Sequence, residues 1–184
     1  MAMNRNLKTF AGIAFTVLLS FTTTSSAAEK TLKWIPENER QAFRLSDDFQ
    51  TLDGKKVSLM DLKAKAVFVN LWATWCGPCK KELPSMGRLY TQLKSQGLEM
   101  IAVSNEKVAT VQKFLKKQSK QPMDFTILLN PKDTLGVRVD NKVVPTTIIL
   151  DAQGRIAMRR DGEWEWDKPE VVEAIRKLMD GHQP

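Results

Sequence analysis

Trp72-Ala73-Thr74-Trp75-Cys76-Gly77-Pro78-Cys79-Lys80-Lys81-Glu82-Leu83-Pro84 holds both cysteines of the chain and constrains its fold more than any other stretch. It follows a β-branched and apolar run, Ala66 to Trp72, that reads as a buried strand. It continues into Lys80 to Gln96, where Leu83, Met86, Leu89, Tyr90 and Leu93 recur at helical spacing. A strand feeding a Cys-x-x-Cys at the start of a helix is the layout of a redox dithiol. Unpaired N–H groups and the positive end of the helix dipole favour a thiolate at Cys76. Cys79, one turn further in, is the less exposed partner, within reach to close a disulfide. Pro78 falls in the first turn, where its missing N–H costs nothing.

Two duller uses of the pair compete with this one. A structural zinc site takes four ligands, and the two cysteines with His182, the single histidine, do not supply them. A purely stabilising bridge across so small a ring gains only roughly 2 kcal/mol in the chain-entropy model, less than a long loop would. A catalytic dithiol is the better use of these residues.

The same residues carry a resemblance. Trp-Cys-Gly-Pro-Cys-Lys, with Pro84 five residues after Cys79, resembles the thioredoxin-superfamily active site. The wider run from Val69 to Pro84 is similar to that of the bacterial TlpA/ResA-like thiol–disulfide oxidoreductases, and the resemblance extends from about Phe43 to Gly181. It implies an α/β fold: a thioredoxin-like sandwich, its central mixed sheet covered by helices on both faces, with an N-terminal β-hairpin and a mid-chain insertion.

The rest of the chain reads consistently with that fold. Phe49 to Leu52, then Asp53-Gly54, then Lys56 to Leu59 read as a β-hairpin, with Ser58 placed to cap a turn at Met60 to Leu62. Gly97 stops the long helix. Leu98 to Ser104 is a strand, Val108 to Lys120 a helix, Phe125 to Leu129 a strand and Pro131 to Val137 a short helix or turn. Strand–helix alternation of this kind predicts parallel β-α-β packing. Thr146 to Asp151 and Arg155 to Arg159, joined at Ala152-Gln153-Gly154, read as an antiparallel pair, and Asp167 is placed to cap a last helix, Lys168 to Met179. Residues 29–42, between the leader and the domain at 43–181, read as a short helix or a tail.

Residues 1–28 carry a different signal. Arg5 and Lys8 precede an apolar run from Thr9 to Phe21, followed by small residues at Ser26 and Ala28. The run falls short of the ~20 residues of a membrane span, so a signal peptide cleaved before Glu29 is expected, with a retained N-terminal anchor as the alternative. No cysteine follows the run to take a lipid. Localisation in the periplasm follows, with membrane contact only if the segment is retained. In such an oxidising compartment a reactive pair either donates oxidising power or is kept reduced by a partner, here an upstream membrane electron donor. The net charge of +7 falls by two when Arg5 and Lys8 leave. Lys113, Lys116, Lys117 and Lys120 fall on one helical segment as a solvated face, and nucleic acid is not an expected partner of an exported chain.

The resemblance also implies roles for single residues. Val144 and Pro145 match the superfamily's cis-proline site, where main-chain pairing holds an extended substrate with little demand on its sequence. Glu82, three residues after Cys79 and on the same helix face, matches the carboxylate that exchanges a proton with the inner cysteine; the alternative is a solvent-facing glutamate balancing Lys80 and Lys81. Asn70 stands where cytosolic thioredoxins have a buried aspartate. Trp75 offers substrate an apolar platform and Trp72 packs under the helix, while Trp164 and Trp166, outside the shared motif, read as core or edge packing, with a substrate-facing role as the alternative. Gly77, Pro78 and Lys80 complete the motif as supporting residues. The expected enzyme is a protein-disulfide reductase with no cofactor and no metal, whose substrates are exported proteins with cysteine pairs, such as an apocytochrome c haem motif or a copper-site protein. The alternatives are a dithiol oxidase or isomerase, a metal-handling protein using the cysteines as ligands, and a thiol peroxidase, whose proline- and threonine-bearing cysteine loop this chain lacks.

Overall fold

A computed structural model describes residues 32–45, 49–59, 62–118, 123–182 and 184. The expected leader, 1–28, lies outside the described residues, as do Met60 at the turn that Ser58 is expected to cap and Lys120 at the end of the expected helix.

Among the described residues, seven strands form one sheet: β1 (Phe49–Gln50), β2 (Lys56–Val57), β3 (Ala66–Leu71), β4 (Leu98–Ser104), β5 (Thr126–Leu129), β6 (Thr146–Asp151) and β7 (Ile156–Asp161), in the order β2-β1-β5-β4-β3-β6-β7. Helices α1 (Gly77–Leu93), α2 (Val108–Lys117), α3 (Thr134–Arg138) and α4 (Pro169–Met179) connect and cover it. β3, β4 and β5 are parallel, whereas β3 pairs antiparallel with β6, and β6 with β7, so the sheet is mixed. The crossovers β3–α1–β4 and β4–α2–β5 step the same way across the sheet. Crossovers of one hand therefore put α1 and α2 on the same face.

The pleat divides the core accordingly. Ala66 and Phe68 of β3 point to a layer shared with Leu83, Met86 and Leu89 of α1, Val111 of α2 and Ile175 of α4. Val67, Val69 and Leu71 point the other way, toward Leu135 of α3, Phe49 and Leu45. All six residues of β3 are buried, as a strand covered on both sides must be. Asn70 falls on the α1 face by the same alternation. That one parity places an amide beneath α1.

α1 starts earlier than the periodicity of Lys80 to Gln96 predicts, because Gly77-Pro78 already form its first turn, and its last turn, Lys94–Gln96, tightens to 3-10. Gly97 ends it with φ 115°, and a Cβ there would stand 2.9 Å from Cγ of Lys65. Only glycine suits that position. The hairpin is present, with Gly54 at φ 83°, although each strand is two residues long. Residues 32–43 are not a tail: Ile35 N–H donates to the Ala157 carbonyl at 2.8 Å, Ile156 N–H to Gln41 at 2.9 Å and Phe43 N–H to Gly154 at 2.8 Å. The segment covers the outer edge of β7, which otherwise presents unpaired backbone. It is anchored by Arg40, whose buried guanidinium donates to Asp151 at 3.3 Å.

One expected cap is replaced. Lys168 occupies the N-cap of α4 without a side-chain cap bond, and the carboxylate of Asp167 instead accepts from Arg88 of α1. Ion pairing across elements outcompetes the local cap here, and it ties α4's entry to α1.

Candidate active site

β3 delivers the chain to the loop at residues 72–76, which is held in several places before α1 begins. Trp72 N–H donates to the Val103 carbonyl of β4 at 3.0 Å and Cys76 N–H to Ala73 at 3.1 Å. Between them, Thr74 gives its backbone N–H and hydroxyl to the two carboxylate oxygens of Glu106, at 2.6 and 2.8 Å, from the loop between β4 and α2. Ser104 Oγ donates to that carboxylate at 3.2 Å. The loop so braced presents the Trp75 side chain outward, 72% exposed, directly before the dithiol. Trp72 is buried in the same core layer as the inner face of α1, although its ring meets Phe114 of α2, at 5.4 Å between centroids.

Cys76 is the N-cap of α1, and its Sγ accepts the N–H of Cys79 at 3.1 Å. The two are joined in a disulfide with Cα atoms 5.3 Å apart. Cys76 retains a little exposure and Cys79 none. Gly77, Pro78 and Lys80 are exposed along the rim. The Val144–Pro145 peptide bond is cis, and the Val144 carbonyl oxygen lies 3.5 Å from Sγ of Cys76. Pro145 is buried while Val143 is half exposed, so the main chain of this loop borders the sulfur and the surface at once. The loop is held by the end of β7: Gly162 N–H donates to the Pro145 carbonyl at 2.8 Å, Thr146 Oγ1 donates to Asp161 at 2.9 Å, and Arg159 reaches the carbonyls of Val139 and Asp140.

Glu82 faces inward, not toward solvent with Lys80 and Lys81. It is only 2% exposed, one helical turn beyond Cys79. Asn70 Nδ2 donates to its Oε1 at 2.8 Å and to Thr147 Oγ1 at 2.9 Å. Its Oε2 accepts from Trp166 Nε1 at 3.0 Å and from the backbone N–H of Trp164 at 3.1 Å. Desolvation pushes the Glu82 carboxyl up to about 7, against the downward pull of its hydrogen bonds to Trp166, Asn70 and Trp164, with the nearby Glu163 charge adding to the rise. A carboxyl that titrates near neutrality can both take and return a proton.

The dithiol, Glu82, Asn70, Val144 and Pro145 therefore converge, while Trp72 stands behind them in the core and Trp75 stands clear of them at the surface. Trp166, Trp164 and Glu106 belong to the site's frame without having been assigned to it from the sequence. Trp166 is fully buried, and nothing local marks its indole as a ligand of a carboxylate 84 positions away. The two tryptophans three and five residues beyond the end of β7 signal packing or a substrate-facing surface, and neither reading points to a carboxylate. Among the described residues, no cluster of three His, Cys, Asp or Glu is arranged to hold a metal ion.

The chain is similar to known proteins. The AhpC/TSA family model matches residues 35–159. The thiol–disulfide oxidoreductase ResA of Bacillus subtilis is 38% identical over 105 residues, 56% of this chain and 57% of that protein. ResA of Halalkalibacterium halodurans is 38% identical over 133 residues, 69% of this chain and 72% of its own. Among solved structures, a thioredoxin-related protein from Neisseria meningitidis serogroup B superposes with a TM-score of 0.57 at 29% identity, covering 72% of this chain and 98% of that one. The chain belongs to the AhpC/TSA family and, within it, to the ResA-like thiol–disulfide oxidoreductases of the thioredoxin superfamily.

Proposed function

We propose that the chain is an exported protein-disulfide reductase acting through Cys76 and Cys79. The observation that carries this reading is the sulfur of Cys76 at the head of α1, bordered by the Val144 carbonyl and backed by a buried carboxyl one turn beyond Cys79. In the reducing direction the Cys76 thiolate attacks one sulfur of a substrate disulfide, and the other substrate sulfur leaves with the electron pair. Cys79 gives its proton to Glu82 and attacks Cys76. The mixed disulfide breaks, the second substrate sulfur leaves reduced, and the enzyme is left as the Cys76–Cys79 disulfide. Residues 143–145 bind the substrate's main chain beside the sulfur, and Trp75 gives its side chains an apolar platform.

Gly77-Pro78 is the dipeptide of thioredoxin, a reductant near about −270 mV, and supports this direction. Return of the dithiol form then requires an electron donor, which for an exported enzyme sits in the membrane. A leader at 1–28 that is cleaved, or kept as an anchor, places the enzyme in the periplasm. Its substrates are cysteine pairs of exported proteins, among them haem-attachment and copper-site pairs. Capture with a Cys79→Ser variant tests this: mixed disulfides with periplasmic proteins should accumulate, release with dithiothreitol, and vanish in a Cys76→Ser/Cys79→Ser double variant. Capture that is the same without Cys76 would refute the assignment of the nucleophile.

A further inference from the structure

We infer that Trp166 is a positioning residue for the thiol chemistry: its indole N–H, together with the Trp164 backbone N–H, occupies Oε2 of Glu82 and leaves Oε1 as the oxygen that takes the proton of Cys79. The inference rests on Glu82 being the proton acceptor. Oε2 already receives two N–H donors, at 3.0 and 3.1 Å, whereas Oε1 receives one, from Asn70. A proton on Oε2 would face two donor hydrogens; on Oε1 it has a free lone pair to occupy. As Cys79 attacks Cys76, its S–H proton passes to Oε1, the Cys76–substrate bond breaks, and the substrate sulfur leaves with the electron pair and takes a proton from water.

The frame that holds Trp166 is built for precision. Its indole meets Phe68 of β3 edge-on at 4.7 Å, and its backbone N–H donates to Ser85 Oγ at 3.2 Å, while Ser85 Oγ donates to the Glu82 carbonyl at 2.8 Å. The Trp164 ring lies between Arg160, at 4.4 Å, and Lys168, at 5.4 Å, which fixes the loop that carries both donors. The charged groups around Glu82 are Lys81 and Arg88 on α1, Glu163, Glu165, Asp167 and Lys168 on the loop into α4, and Arg160 on β7. Lys81 pairs with Glu163, Arg88 with Asp167 and Lys168 with Glu165. β3 and β6 contribute only the neutral Asn70 and Thr147. Removing the indole N–H changes none of these charges.

The test is a titration of the full chain labelled with carboxyl-13C glutamate, in which Glu82→Gln assigns the Glu82 signal. Hydrogen bonds to a carboxylate favour its charged form, so Trp166→Phe should raise the Glu82 midpoint by roughly one pH unit. The pH profile of mixed-disulfide resolution should shift the same way, and Trp166→Phe in a Glu82→Gln background should shift it no further. If the fully buried Trp166→Phe chain does not fold, replacing Trp166 by benzothienylalanine keeps the ring shape and removes only the donor. An unmoved midpoint, with a profile that Glu82→Gln still alters, overturns the role of Trp166 alone. A profile that Glu82→Gln leaves intact overturns the Glu82 reading and this inference with it.

Discussion

Glu82 sits where a carboxylate is costly, and its hydrogen bonds offset only part of that cost. Its acid form is retained well above the ordinary value of 4.5, to about 7. Between those two values the folded chain binds more protons at this site than the unfolded chain. The contribution of Glu82 to stability therefore falls as pH rises through that window, by an amount on the order of 3 kcal/mol. Urea unfolding of the oxidised protein at pH 4.5 and pH 8 should show this loss, and Glu82→Gln should remove most of it. A variant as pH-sensitive as the parent would place the titration elsewhere. At the opposite sign stands Asp167, held below its usual range by Arg88, whose support is lost as pH falls. From the sequence, Glu82 reads either as a partly buried carboxyl or as a solvent-facing partner of Lys80 and Lys81; its 2% exposure decides for burial.

Short loops anchored at a distance carry the site. Glu106 accepts both donors of Thr74 and so holds the turn between β3 and α1. Glu106→Ala leaves the two Thr74 donors and the Ser104 hydroxyl without that acceptor and should lower stability by roughly 1–3 kcal/mol. Hydrogen exchange at the Thr74 amide should accelerate by more than the global loss explains; an amide that exchanges as before would rule out the brace. A second anchor, residues 159–166, binds the Val144–Pro145 loop at one end and Glu82 at the other. Much of the element order was legible, because Ala66 to Trp72, the Cys-x-x-Cys spacing and Gly97 are local signals with single physical meanings. The anchors were not: Trp166 to Glu82, Thr74 to Glu106 and Asp167 to Arg88 join positions 32 to 84 apart. Residue type along the chain says only that such groups need partners. The packed fold decides which they find.

At the scale of the whole molecule, the sheet is a rigid frame with the chemistry at one end. β3 is buried on both faces and ends at the loop that carries Cys76; β6 begins directly after Pro145; their antiparallel register pairs Leu71 with Thr146 and so brings the cis peptide beside Cys76. Asn70 pairs with Thr147 in the same ladder, which sets the amide and hydroxyl under Glu82 from the neutral side. The edge strand β7 is covered by residues 32–43, while Trp75 and Val143, which flank Cys76 in the fold, are exposed. The direction in which electrons pass through the dithiol is the central claim, and the equilibrium reduction potential of the Cys76–Cys79 pair against a thiol redox buffer tests it most directly. A reductase requires a value near about −270 mV, whereas a value between about −120 and −180 mV would make the enzyme a disulfide donor or isomerase and contradict the account.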